Sequence, residues 1–424
     1  MKRALVVGAG FGGLQVVKTL ARQDNVEVLL LDRQNYHLFH PLLYQVATAG
    51  LEKENIAYPI RAIIRKWPNV RFLMTEVRGV DLDRRELLTD SGSLDYDYLV
   101  LAPGSVTNFY GLASVEREAH DLKYLGEASA LRNHILSVFE QASQEPDPEI
   151  RASLMTFVIV GAGPTGVEFS GALAELVHHA LLKDYPELNV RNTRIVLVEA
   201  LDQILPMFPP SLQEYARHGL EQLGVEIRLQ SPVVDVEPGH VLLKDGSSIS
   251  SYTLFWAAGV KASPLADVIP VNKARGGRIP VLPDMTIAGH PEVFVIGDMA
   301  YIEQNGSALP MLAPIAMQEG RYVGQAILRR EQGQSVDPFH YKDRGFMAII
   351  GRYTAVARAF GVNLTGLVAW VAWLALHLYY LIGFRNRLMA LLNWGYAYLL
   401  LDPKLRLITQ EGKEHIVHRE TLES

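Results

Sequence analysis

The sequence predicts an α/β protein. Two doubly wound parallel-sheet domains are expected, the second inserted in the first, plus a hydrophobic C-terminal region. Three observations carry this. The chain opens with an apolar run, a glycine-rich turn and a helical stretch over residues 2–20. The same succession recurs at 156–177. Near the C-terminus, residues 359–384 contain no Lys, Arg, Asp or Glu.

Residues 3–7 are apolar enough for a buried strand and run into Gly8-Ala9-Gly10-Phe11-Gly12-Gly13; residues 14–20 then have helical spacing. A second apolar run, 26–31, ends on Asp32. Strand, glycine turn, helix, strand and acid form the fingerprint of a Rossmann-like, dinucleotide-binding βαβ unit. Gly8 allows the tight turn, Gly10 lets the backbone approach a pyrophosphate, and Gly13 lets helix and strand pack closely. The helix N-terminus offers free N–H groups and a positive dipole end to phosphates. Asp32 can accept hydrogen bonds from ribose hydroxyls. Residues 35–45, aromatic and uncharged, read equally as a buried connection or as a wall of a planar-ring pocket. A further strand is expected over 69–80, and another over 95–104, ending in the small-residue turn Ala102-Pro103-Gly104 that faces the ligand crevice of such a sheet.

The repeat begins with Thr156–Val160, β-branched and apolar, followed by Gly161-Ala162-Gly163-Pro164-Thr165-Gly166 and a helix over 167–177. Arg194–Val198 ends on Glu199; the longer interval before this acid is a helix extension plus loop at 178–193. Residues 252–259 close the unit at Ala257-Ala258-Gly259. Repetition in full context implies two separate dinucleotide sites. A carboxylate at Glu199 suits a free 2′-hydroxyl and repels a 2′-phosphate, favouring NADH over NADPH; a solvated strand-end acid is the alternative. Residues 293–298 form a strand ending in Gly297-Asp298, and a helix from Ala313 to about Arg330 returns to the first domain. The expected domains are therefore 1–125 with 285–335, 150–284, and 336–424.

At 424 residues and a net charge of −6, the chain has room for two domains and gives no reason to expect nucleic acid. It contains no cysteine, which excludes disulfides, thiolate metal sites, cysteine-ligated clusters and redox-active cysteine pairs. No metal site is expected. No secretory signal precedes the first strand, so a cytoplasmic N-terminus is expected.

The apolar stretch 364–382, interrupted by Arg385 and Arg387 and resumed over 388–401, leaves three readings open: a buried core helix, a membrane span, or a monotopic anchor lying in the interface. Trp and Tyr suit headgroup depth, and the two arginines can snorkel to lipid phosphates. From residue 340 onward ten Lys/Arg face six Asp/Glu, an excess that favours an anionic leaflet. His377 reads more readily as a histidine bonded to a neighbour than as a proton donor.

The paired fingerprints, the two small-residue turns and Gly297-Asp298 resemble the two-dinucleotide-binding flavoprotein superfamily. Three stretches narrow the resemblance to type II NADH:quinone oxidoreductases: Pro41-Leu42-Leu43-Tyr44-Gln45-Val46-Ala47-Thr48, Gly163-Pro164-Thr165-Gly166-Val167-Glu168, and the apolar C-terminal region. The resemblance implies FAD at Gly8, Gly10, Phe11, Gly12, Gly13, Asp32, Arg33, Thr48, Val77, Ala102, Gly104, Asp298 and Ala316. It implies NADH at Gly161, Gly163, Thr165, Gly166, Glu199, Ala258 and Gly259. Glu168 matches a family glutamate near nicotinamide and flavin, and Gln318 the second glutamine of an Ala-Gln-x-x-x-Gln motif beside flavin and quinone. The first glutamine of that motif is Pro314 here, which removes an amide able to hydrogen-bond a quinone carbonyl. The implied quinone site comprises Gln45, Pro314 and Gln318.

The expected activity is hydride transfer from NADH to FAD and two-electron reduction of a membrane quinone, without proton pumping, as part of a respiratory chain. The expected location is the cytoplasmic face of the cell membrane, monotopic on the lipid bilayer, and a homodimer is compatible with the resemblance. The rivals are a reductase of a protein electron acceptor and a non-catalytic NAD(H)-responsive scaffold.

Overall fold

The computed structural model describes residues 1–400 and 405–409. In chain order, the elements that position the sites are β1 (Lys2–Val7), α1 (Phe11–Leu20), β2 (Val26–Asp32), α2 (Leu43–Ala47), β3 (Val70–Met74), β4 (Tyr98–Leu101), α3 (Leu125–Gln144), β5 (Thr156–Val160) and α4 (Pro164–Glu175). They continue with β6 (Arg194–Val198), α5 (Pro210–Gln222), β7 (Val225–Arg228), β8 (Thr253–Trp256), β9 (His290–Val295) and α6 (Ala313–Glu331). The last are β10 (Phe346–Gly351), β11 (Thr354–Ala359), β12 (Val362–Thr365), α7 (Gly366–Tyr380) and α8 (Phe384–Leu400).

The chain divides into two compact units. The first comprises Met1–Leu38, Ala57–Val106 and Val260–Asp343. Its sheet runs Thr286–Ile287, β9, β4, β1, β2, β3, and every pairing from β9 to β3 is parallel. β1 lies at the centre, with Ala4, Leu5 and Val6 fully buried, as continuous apolar runs in doubly covered parallel sheets require. The strand leading to Gly297 therefore returns beside β4.

The second unit comprises Phe39–Ile56, Thr107–Gly259 and the residues from Arg344 onward. Its parallel sheet runs β7, β6, β5, β8, and all five residues of β5 are buried. A separate antiparallel sheet, β10–β11–β12, carries α4 and α5. Glycines make that packing close: a Cβ on Gly171 would lie 1.7 Å from the Ile350 carbonyl oxygen, and one on Gly219 3.1 Å from Ile350 Cγ2.

One expectation is corrected. Residues 69–80 are not one strand: the ladder ends at Met74, where its partner β2 ends at Asp32, and Val77–Asp81 joins a separate antiparallel sheet with Glu86–Thr89. The uncharged stretch 359–384 holds more than one element. Gly361, Gly366 and Gly383 take positive φ (82°, 62° and 94°), so it divides into a β-turn, strand β12 and α7 before α8 begins. Among the described residues no helix is long and apolar enough to cross a membrane. Each C-terminal helix buries one face, through Trp373 (0% exposed) on α7 and Ala390 and Trp394 on α8. Each leaves an apolar stripe exposed: Leu367, Val368, Val371 and Tyr379 on α7, Phe384, Leu388, Leu391 and Leu392 on α8. Residue 401 and the distal part of the C-terminal charge excess lie outside the described residues.

Candidate functional site: two nucleotide cradles and an acidic cavity

In the first unit β1 ends at Val7 and the chain turns on Gly8, with φ +99°. A Cβ there would lie 2.1 Å from the Ala102 carbonyl oxygen, and one on Gly13 only 1.8 Å from the Gly8 oxygen. Among the described residues no atom lies within 4 Å of where a Gly10 Cβ would stand. Two glycines are thus demanded by the protein's own backbone, and the third opens onto free space. A Cβ on Gly12 would lie 3.1 Å from Ile296 Cδ1 and 3.3 Å from the Ala316 carbonyl oxygen. α1 starts at Phe11 with Gly10 as its N-cap and no acid in its first turn, so its N–H groups remain available to an anion.

Asp32 ends β2 where it accepts the Ala9 N–H (2.7 Å) and the Gln34 N–H (2.8 Å); burial pushes its carboxyl up, against those two bonds. Phe11 stands edge-on to His37 at 5.3 Å. The His37 Nδ1–H donates to the Ala9 carbonyl (2.8 Å), and burial lowers that ring to about 4, so it is neutral at pH 7. Gly104, in the turn after β4, takes φ +78°. Ser105 donates to Asp298 at 2.5 Å, while Glu319, reaching back from α6, accepts the Gly297 N–H at 2.5 Å. Burial pushes Glu319 up to about 8. Ala316 is buried on α6, Arg33 follows β2, and Val77 opens its antiparallel strand. This open cradle at a helix N-terminus fits the pyrophosphate and ribose of an FAD.

The second unit repeats the design. Gly161 has φ +101°, and its Cβ would lie 2.6 Å from Ala258 Cα; one on Gly166 would lie 1.9 Å from the Gly161 oxygen, and Gly163 again faces nothing within 4 Å. α4 starts at Pro164, whose missing N–H costs nothing in a first turn, and Thr165 is exposed beside it. Glu199 accepts the Ala162 N–H (2.6 Å) and the Leu201 N–H (3.0 Å). Tyr110 donates to the Ala258 carbonyl at 2.8 Å and stands where a side chain at Gly259 would go.

Further along α4, Glu168 is buried. Its Oε1 accepts the Ile349 N–H (3.2 Å) and the Trp373 indole N–H (3.1 Å), and burial pushes the carboxyl up to about 8 against both bonds. Near neutral pH it therefore holds a transferable proton. It lines a cavity of about 90 Å³ together with Gln45, Thr48, Glu175, His179 and Arg352.

Comparisons with known proteins agree with this arrangement. The family model for pyridine nucleotide-disulphide oxidoreductases matches residues 2–320. A type II NADH:quinone oxidoreductase, Ndh, of Mycobacterium tuberculosis is 40% identical over 412 residues, 94% of this chain and 88% of that protein. The Staphylococcus haemolyticus type II NADH:quinone oxidoreductase is 33% identical over 375 residues, 86% of this chain and 91% of its own. The chain belongs to the type II NADH:quinone oxidoreductase family. Its fold is shared with the solved NDH2 of Plasmodium falciparum in complex with NADH, at a TM-score of 0.88 and 18% identity over 96% of this chain and all of that one. The disulphide in that family's name has no counterpart here, since the chain has no cysteine.

Within this type II NADH:quinone oxidoreductase chain, the second unit brings Gln45, Thr48 and Glu168 to one cavity. Gln45 is buried, its amide donating to Tyr44 Oη (2.9 Å) and accepting from Trp394 Nε1 (2.7 Å), and Thr48 donates to the Tyr44 carbonyl. The first unit places Pro314 and Gln318 together on α6. Pro314 is exposed in the first turn, and the Gln318 amide pairs twice with the backbone of Lys342, at 2.9 and 3.1 Å. His377 stacks on Trp373 at 3.9 Å and donates from Nδ1 to the Trp373 carbonyl at 2.7 Å; burial lowers it to about 4. It is a bonded neighbour rather than a proton donor.

Sequence reasoning missed Glu175, Glu319, Tyr110, Trp373 and Trp394. Glu175 carried a legible signal, because it lies seven residues from Glu168 and so on the same helix face. The tryptophans carried none, since their partners are distant in sequence.

Proposed function

We propose that this protein oxidises NADH and passes the two electrons, through a bound FAD, to a quinone in the adjoining membrane, without moving protons across it. The observation that carries the reading is the doubled cradle. In each unit two glycines are required by backbone contact, one opens onto free space, and an acid closes the second strand. The first cradle would hold FAD through Gly10, the α1 N-terminus and Asp32, with Asp298 held ready by Ser105. FAD supplies the two-electron acceptance and release. The second would hold NADH through Gly163 and Glu199, and Glu199 selects against a 2′-phosphate.

Glu168 keeps a proton in a buried setting, where it can orient the nicotinamide or donate. The proposed domains follow: 1–125 with 285–335 for FAD, 150–284 for NADH, and 336–424 for membrane association. Aligned apolar stripes on α7 and α8 with Arg385 and Arg387 beside them support a monotopic seat on anionic lipid at the cytoplasmic face. Pro314 leaves quinone contact on that turn to Gln318 and to backbone.

The deciding experiment is NADH oxidation by the detergent-purified protein, with and without a short-chain quinone, after its visible spectrum is recorded. A flavin spectrum with quinone-dependent turnover and preference for NADH supports the proposal. A flavin reduced by NADH that no quinone reoxidises moves the acceptor to a protein. FAD bound without NADH oxidation makes the protein a scaffold.

A further inference from the structure

The cavity beneath Glu168 holds a second acid to which the proposed chemistry assigns no role. Glu175 lies two helical turns further along α4, roughly 10 Å from Glu168 at about 1.5 Å per residue, and on the same face. The helix then passes into a π-helical turn, Leu176–Leu181, that carries His179 to the same cavity. Such turns inside α-helices are frequent at functional sites. Exposure falls along the row: His179 and Glu175 are partly exposed, and Glu168 is buried. Arg352 from the β10–β11 turn, Tyr44 from α2 and Tyr398 from α8 interact electrostatically with Glu175, and Gln45 and Thr48 line the same cavity. Glu175 accepts the Arg352 backbone N–H, and burial raises its carboxyl against that bond and against the guanidinium. Among the described residues Arg352 Nε is buried without a hydrogen-bond partner, as expected beside ordered water. About 90 Å³ admits several waters at roughly 10–15 Å³ each, enough to bridge two carboxyls too far apart to exchange a proton directly.

We propose that this cavity is a water-filled proton inlet, in which Glu175, supplied from the His179 end, passes protons to Glu168. The inference rests on the reading above, with Glu168 at the reaction centre. NADH, quinone and one H⁺ give NAD⁺ and quinol, so each turnover draws one proton from solvent. Glu175 gives its proton to the first water of the chain and regains one from bulk. Glu168 receives one from the last water and yields its own to the reaction, where it ends on a quinol oxygen. No further oxidant or reductant is needed.

The test uses full-length, FAD-loaded protein and four variants. E175Q keeps an acceptor for the Arg352 N–H but has no transferable carboxyl proton, and E175D restores the carboxyl. Ala172 also lines the cavity, so A172L narrows it with both acids intact, and E168Q identifies the Glu168 signal. Two readouts are taken: hydrogen–deuterium exchange of the Glu168 carboxylic C=O band by infrared spectroscopy without substrates, and the separate rates of flavin reduction by NADH and reoxidation by quinone in H₂O and D₂O. Expected are exchange and reoxidation slowed on the order of tenfold in E175Q and A172L, with a larger solvent isotope effect, unchanged reduction by NADH, and recovery in E175D. If both variants match wild type while E168Q slows the quinone step, the inlet is overturned and the functional reading stands. If E168Q itself leaves both half-reactions at wild-type rates, Glu168 has no role there and the inlet falls with it.

Discussion

Gly10 and Gly13 separate two demands that one motif combines. Alanine at position 13 would place its Cβ 1.8 Å from the Gly8 oxygen, so G13A cannot keep this turn. Alanine at position 10 meets nothing and suits its φ of −72°, so G10A should fold with stability within about 0.5 kcal/mol of wild type. Its Cβ instead intrudes where a pyrophosphate would lie, so FAD retention after gel filtration should fall on the order of tenfold, about 1.4 kcal/mol. Removing the charge at Glu199 addresses the other nucleotide. E199Q should relax the NADH-over-NADPH ratio of kcat/KM by roughly tenfold, mainly by tolerating the 2′-phosphate.

Glu319 gives a pH signature at the same scale. Its folded value, about 8, lies above the ordinary 4.5, so the unfolded chain ionises first as pH rises. Stability from this group is intact below about 4.5, falls as pH rises toward 8, and is level beyond. E319Q keeps an acceptor for the Gly297 N–H and removes the titration. Its melting temperature should gain on wild type steadily between pH 5 and 8.

Among the elements, α7 and α8 have the most to do. Each turns Trp and Ala inward and Leu, Val, Phe or Tyr outward, and an apolar exposed stripe next to Arg385 and Arg387 is the pattern of a surface that meets lipid. Replacing Leu388, Leu391 and Leu392 together by Ser should lower partitioning into vesicles containing anionic lipid by at least about tenfold, read by flotation, while the buried face is untouched. Unchanged flotation would move the contact elsewhere.

For the whole molecule, those helices cannot be treated as a detachable anchor. Trp373 and Trp394 are buried, and their indoles hold Glu168 and Gln45. Losing two buried tryptophans alone costs roughly 6–10 kcal/mol, comparable to the entire stability of many domains. Truncation before Leu364 should therefore give an aggregated or protease-sensitive protein by gel filtration, rather than a soluble enzyme.

The cradles were legible because their determinants are local. A glycine turn between an apolar strand and a helix needs only adjacent residues to specify backbone shape, and its repetition at 161–166 specified a second site in the same way. The apolar C-terminal run was legible only as apolar: how it divides depended on positive φ at Gly361, Gly366 and Gly383, and which face turned inward depended on the cavity it closes. Of the acidic cavity, single residues and the Glu168–Glu175 helix spacing were legible, but their enclosure was not. Its walls come from α2, α4, the β10–β11 turn and α8, and the raised proton affinity of Glu168 and Glu175 comes from burial, which arises only when segments distant in sequence exclude water together. Local backbone geometry was thus written in the sequence, and proton affinity was decided by the packing.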